Sequence, residues 1–160
     1  MSYKIFWGDI HNHNSMGYAR GSLERSIDIA RNSLDFFATT GQCQWHDMEK
    51  YESNVHMHWV NGFKAHNENW PKIQEAIKKT NEDGKFVAFI GYEFHSSMYG
   101  DYCIIFPDDN SRLEICDGID SFKKLAKETG ALIIPHHLGY KRGHRGFNID
   151  VFDDNYSPVV

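Results

Sequence analysis

Apolar and polar positions change period several times along this chain. Tyr3 to Trp7 is an aromatic and β-branched run that ends at Gly8, the pattern of a short buried strand. Behind it Ser22 offers a helix N-cap, Glu24 falls in the first turn, and Leu23, Ile27, Ala30 and Leu34 recur at helical spacing. A second strand is expected over Asp35 to Thr40, running into Gly41. His56 to Thr80 reads as helical on Trp59, Phe63, Ile73 and Ile77, with Pro71 expected to open a second helix rather than to sit inside one.

After the turn signal from Asn81 to Gly84, Phe86 to Tyr92 is a continuous apolar run, as in a strand covered on both faces, and Glu93 stands at its end. Tyr102 to Phe106 is a further short strand. Asp120 is expected to cap a helix carrying Phe122, Leu125 and Ala126 that stops at Gly130, and Ala131 to Ile134 is the next buried strand. Strands alternating with helices predict an α/β fold, a parallel sheet or barrel with right-handed crossovers. The closing residues, NIDVFDDNYSPVV, read as a loop leading into a strand that is not completed. The expectation is therefore a single domain over 1–160 that forms a partial or truncated β/α barrel.

Composition narrows the function classes. The chain has 160 residues, 41% hydrophobic and 24% charged, with a mean hydropathy of -0.57, which suits a soluble globular domain rather than a disordered or membrane-spanning one. A net charge of -5 lacks the cationic surplus that phosphate-backbone binding needs, so nonspecific nucleic-acid binding is not expected. Cys43, Cys103 and Cys116 are widely spaced and odd in number, which supports neither a disulfide framework nor a zinc ribbon. With no signal-peptide pattern at the start, a cytoplasmic location is expected. The 10 histidines change the picture most, because imidazole is both a common transition-metal ligand and a proton carrier near neutral pH.

Those histidines and their acidic neighbours gather at the carboxyl ends of the expected strands. Asp9, His11 and His13 follow the first, Gln42 and His46 the second, Glu93 and His95 the third, and His136 and His137 the last. In parallel α/β folds such ends build the active site. In extended chain His11 and His13 share a face and can grip one metal ion, with Asp9 expected to orient an imidazole; the competing reading is a pair of surface histidines. Glu93, at the end of an apolar run, is a candidate bridging ligand or else a solvated loop carboxylate. His95 shares its face. Of His136 and His137, adjacent residues that extended backbone turns apart, one at most is expected to coordinate. In GYKRGHRG, Arg142 and Arg145 are candidate phosphate ligands, and a solvated basic loop is the alternative.

The segments GDIHNHNSMGYARGSLERSIDIARNSLDFFATT, GYEFHSSMYGDYCIIF and ALIIPHHLGY resemble the polymerase-and-histidinol-phosphatase (PHP) superfamily of metal-dependent hydrolases. The resemblance implies a distorted seven-stranded β/α barrel, two or three transition metals at its mouth, and phosphoesterase activity. It places His11 and His13 on the opening H-x-H, Glu93 on the bridging carboxylate, and His136 on the histidine after the later strand. Where the family has an aspartate followed by histidine, this chain has Thr40, Gly41 and Gln42, so Gln42 or His46 is expected to supply a ligand. The family's last Asp-x-His pair has no counterpart.

The expected function is a metal-dependent hydrolase, a phosphoesterase acting on a small-molecule substrate, with zinc, manganese or iron held by His11, His13, Glu93, His136, Gln42, His46 and His95, and with Glu93 and His46 as catalytic residues. The alternatives are an amidohydrolase-like metal-dependent hydrolase and a noncatalytic metal-binding fragment. Self-association through an uncovered sheet edge is also expected.

Overall fold

The computed structural model describes residues 3–157. It is a mixed α/β fold: β1 (Gly8–Asp9), α1 (Leu23–Arg31), β2 (Phe36–Trp45), α2 (Ser53–Thr80), β3 (Val87–His95), β4 (Asp101–Ile105), α3 (Ile119–Thr129) and β5 (Leu132–His136), followed by a 3-10 turn at Ile149–Val151. The strands form one sheet in the order β1-β2-β3-β4-β5. β1, β2 and β3 run parallel, while β4 is antiparallel to both its neighbours. An all-parallel sheet is thus corrected to a mixed one, for a plain reason. Only Ser96 to Gly100 join β3 to β4, and a parallel crossover needs about a dozen residues or more.

One face of the sheet is sealed by the helices. Leu23 and Ile27 of α1, Trp70, Ile73 and Ile77 of α2, and Phe122 and Leu125 of α3 pack against Phe37, Ile90, Tyr92, Phe94 and Ile104 from the strands. Ser22 caps α1 through a bond from Arg25 N, as its position in the sequence predicts. Gly130 ends α3 in the left-handed conformation, φ 70°, again as predicted. The N-cap of α3 is Gly118, not Asp120, and Asp120 instead lies in the first turn, where its charge suits the helix N-terminus.

Two further elements differ from the sequence reading. α2 is one helix of 28 residues with Pro71 inside it, because Trp70, Ile73 and Ile77 anchor the same buried face on both sides of the proline. The run Tyr3 to Trp7 is not a buried strand. Tyr3, Ile5, Phe6 and Trp7 are exposed, and β1 is confined to Gly8–Asp9, where pairing with Phe36 and Phe37 begins.

The sheet curls like half of a barrel. Four spacings of about 4.8 Å would set the opposite edges of a flat sheet about 19 Å apart. Yet His11, which follows β1, and His136, at the end of β5, stack with ring centroids 4.0 Å apart. The concave face carries Phe36, Phe89, Ile105 and Ile134, which with Phe6 and Ile10 line an apolar groove left open by the helices. Residues 158–160, part of the expected final strand, lie outside the described residues. Among the described residues no helix is long and apolar enough to cross a membrane.

Candidate metal centre

Curling brings the carboxyl ends of β1, β2, β3 and β5 to one mouth, and the reversed β4 delivers its amino end to the same place. Glu93 on β3 sits at the centre with no solvent exposure. Its Oε2 is 3.2 Å from His13 Nε2. Its Oε1 is 3.5 Å from His95 Nδ1 and 3.8 Å from each of His136 Nε2, His137 Nε2 and Arg145. His11 adds Nε2 at 2.9 Å from His13 Nε2, while its Nδ1 faces Cys103 Sγ at 2.9 Å and Thr40 Oγ1 at 3.3 Å.

Several sets can each bring one ligand atom per residue within 4.8 Å of the others: His11, His13 and Glu93; Glu93, His136 and His137; Glu93, His95 and Asp101; and His11, Cys103 and His136. Glu93 is common to the first three, and its two oxygens face different imidazoles. Each oxygen could thus serve a different group of imidazoles.

Unmet hydrogen-bonding capacity fits the same reading. Both Glu93 oxygens, His13 Nδ1, His95 Nε2 and Gln42 Oε1 are buried without a hydrogen-bond partner. Orphaned buried polar atoms are costly, and several around one carboxylate suit a cation that completes their coordination. Protonation is compatible. Burial is the main force on His11, lowering its pKa to about 4 against the opposing pull of Glu93, so the ring is neutral at pH 7 as a ligand must be. Burial also lowers His136 and His137. For Glu93 burial alone would raise the pKa, and what holds the carboxyl below its usual range is the positive charge that His95, His13 and His11 carry when protonated; with His11 neutral, a bound cation would supply that charge instead.

The residues singled out in the sequence fall into distinct places. His11, His13, Glu93, His95 and His136 are gathered at the mouth. Gln42 is buried on β2 in register with Glu93, on the same face. His46 is not brought there. Pairing shifts register between Gln42 and Gln44, and this irregularity reverses the alternation of side chains along β2. Trp45 therefore turns to the mouth, its ring 5.9 Å from that of His95, and His46 turns the other way, stacked against Phe94 and Tyr99. Arg142 stays exposed, paired with Asp150, while Arg145 turns inward onto Asp101 at 2.7 Å. Asp9 does not orient an imidazole; its carboxylate accepts from the backbone N–H of His11.

Other residues at the mouth escape a reading by strand ends alone. His137 has φ 55°, and leaving the extended conformation swings its ring to the same side as that of His136, with centroids 3.8 Å apart. Asp101 and Cys103 arrive from the amino end of β4, and only the short hairpin connection in the sequence could have signalled them. Tyr18 closes the other side, its ring 5.7 Å from His13 and 5.3 Å from Trp59; Gly62 on α2 leaves room for it, since a Cβ there would lie 2.6 Å from that of Tyr18.

The family model described as "Protein of unknown function (DUF3604)" matches residues 28–128, a span running from α1 through α3 that includes Glu93, His95, Asp101 and Cys103. No curated protein matches the chain.

Proposed function

The chain belongs to the DUF3604 family, and from its residues we propose that it is a metal-dependent hydrolase of the phosphoesterase type, built on a PHP-like partial barrel. Glu93 carries the proposal: a fully buried carboxylate, both oxygens without hydrogen bonds, with imidazoles around it. His11 and His13 with Glu93 would hold one ion, and His136 and His137 with Glu93 a second. Mixed imidazole and carboxylate donors suit zinc, manganese or iron better than calcium. Bound there, such ions supply an activated water and offset charge on phosphate oxygens.

The chain's own groups do the positioning. Glu93 lies between the two groups of imidazoles, and Thr40 and Cys103 offer partners to His11 Nδ1, which leaves Nε2 turned toward His13 as the atom that would hold a metal. An amidohydrolase-like barrel wants a modified lysine as its bridge; here a glutamate stands between the imidazoles, which favours the phosphoesterase reading.

The test combines elemental analysis of the purified chain with p-nitrophenyl phosphate hydrolysis in added manganese or zinc. Wild type should retain metal and turn over. His11→Ala/His13→Ala should lose most of the metal, and Glu93→Gln should lose turnover. Equal metal content in wild type and the double variant contradicts the site, whereas metal binding without turnover leaves a noncatalytic metal-binding protein and overturns the hydrolase proposal.

A further inference from the structure

Arg145 ends a loop that doubles back onto the β3–β4 hairpin. Close backbone approach holds the loop there: a Cβ at Gly100 would lie 2.8 Å from Gly146 O, and one at Gly146 would overlap the carbonyl oxygens of Tyr140 and Lys141. Arg145 itself takes φ 63°, unusual for a residue with a side chain, and its carbonyl accepts from Asp101 N at 3.3 Å. The guanidinium is then fixed from several sides. Its Nε and Nη2 lie 2.8 and 2.7 Å from Asp101 Oδ2, and its carbon lies 5.0 and 5.6 Å from the ring centres of Trp45 and Trp59. Nη2 is also 3.0 Å from His95 Nδ1 and 3.8 Å from Glu93 Oε1.

The guanidinium thus touches every member of the Glu93, His95 and Asp101 set, which has the spacing of a metal site. Glu93 and Asp101 are both fully buried, and two buried carboxylates in contact with one imidazole require a cation. A metal ion bound to Asp101 Oδ2 and His95 Nδ1 would lie about 2 Å from each, in direct repulsion with a guanidinium nitrogen already bonded to the same atoms. Only one of the two cations fits.

We propose that Arg145 is the resident cation of this third position, occupying with its own charge the place a divalent ion would take among Glu93, His95 and Asp101. Transition-metal binding is thereby confined to the sets that Glu93 makes with His11 and His13 and with His136 and His137, without Asp101. Arg145 is a positioning residue, with its Nε and Nη2 donors directed at Asp101 Oδ2. The inference rests on the proposed metal centre for the neighbouring ions, but the occupancy of this set is a separate question with its own measurement.

That measurement is zinc and manganese content per folded chain, by elemental analysis after dialysis, with circular dichroism as the check on folding. Arg145→Ala should retain about one more ion per chain than wild type, Arg145→Lys should gain none, and Arg145→Ala/Asp101→Asn should return to the wild-type content. A folded Arg145→Ala with unchanged content overturns the proposal. If that variant does not fold, Asp101→Asn in the wild-type background decides: unchanged content is expected, and loss of an ion shows that the set holds metal despite Arg145. Wild type without any metal contradicts the proposed function, while the difference between Arg145→Ala and wild type still judges the role of Arg145.

Discussion

Glu93 shows how a site can cost stability. Asp101 and Glu93 bring two negative charges into the interior, Arg145 returns one positive, and His11, neutral at pH 7, adds none. In excess chelator Glu93→Gln should therefore melt no lower than wild type, with a stability gain of up to about 2 kcal/mol, while losing affinity for metal. Calorimetry in chelator checks this; a clear fall in melting temperature would mean that Glu93 is held by its neighbours without an ion. His66, outside the centre, gives a pH test. It is 1% exposed, and burial chiefly lowers its pKa from 6.5 to about 4, against a weaker opposing bond to Asn67. The unfolded chain takes up that proton first, so the contribution is complete above pH 6.5 and is lost as pH falls toward 4, worth up to about 3 kcal/mol. His66→Leu should flatten acid destabilisation across this window, and an unchanged profile would refute the assignment.

At the scale of the element, strand ends were the legible part. Apolar runs that end in Glu or His put Glu93 and His136 at strand ends, because a strand's period and its end are written locally, whereas the run before His11 and His13 is exposed and only Gly8–Asp9 pairs there. What was not legible depends on pairing. The reversal of β4 and the register shift in β2 are relations between strands, and they decide that Asp101 and Cys103 enter the mouth while His46 leaves it. The conformations of His137 and Arg145, both with positive φ, break the alternation on which sequence reading rests. Gly41 offers a test of helix-to-strand fit: α2 brings the His66 ring onto β2 so closely that a Cβ at Gly41 would overlap it. Gly41→Ala should destabilise by about 1–3 kcal/mol in denaturant titration. A neutral result would show that His66 moves freely there.

Across the whole molecule, the sheet has one sealed face and one open face. Phe6, Ile10, Phe36, Phe89, Ile105 and Ile134 line the open groove, and Leu132, paired in register with Ile105, is 42% exposed beside them. Contiguous apolar surface of this kind binds hydrophobic dyes and promotes association. The chain should bind anilinonaphthalene sulfonate while fully folded and self-associate with rising concentration; Leu132→Lys should reduce both, and a monomer that binds no dye would contradict this. The same curl that opens the groove gathers the imidazoles, so fold and site stand together. Anomalous diffraction at the zinc or manganese absorption edge, on crystals grown with that ion, tests this most directly. Peaks are expected about 2 Å from His13 Nε2 and Glu93 Oε2, and from Glu93 Oε1 with His136 or His137, with none among Glu93, His95 and Asp101 while Arg145 is present. Ordered density for Glu93 and its imidazoles with no anomalous peak between them would contradict the metal centre.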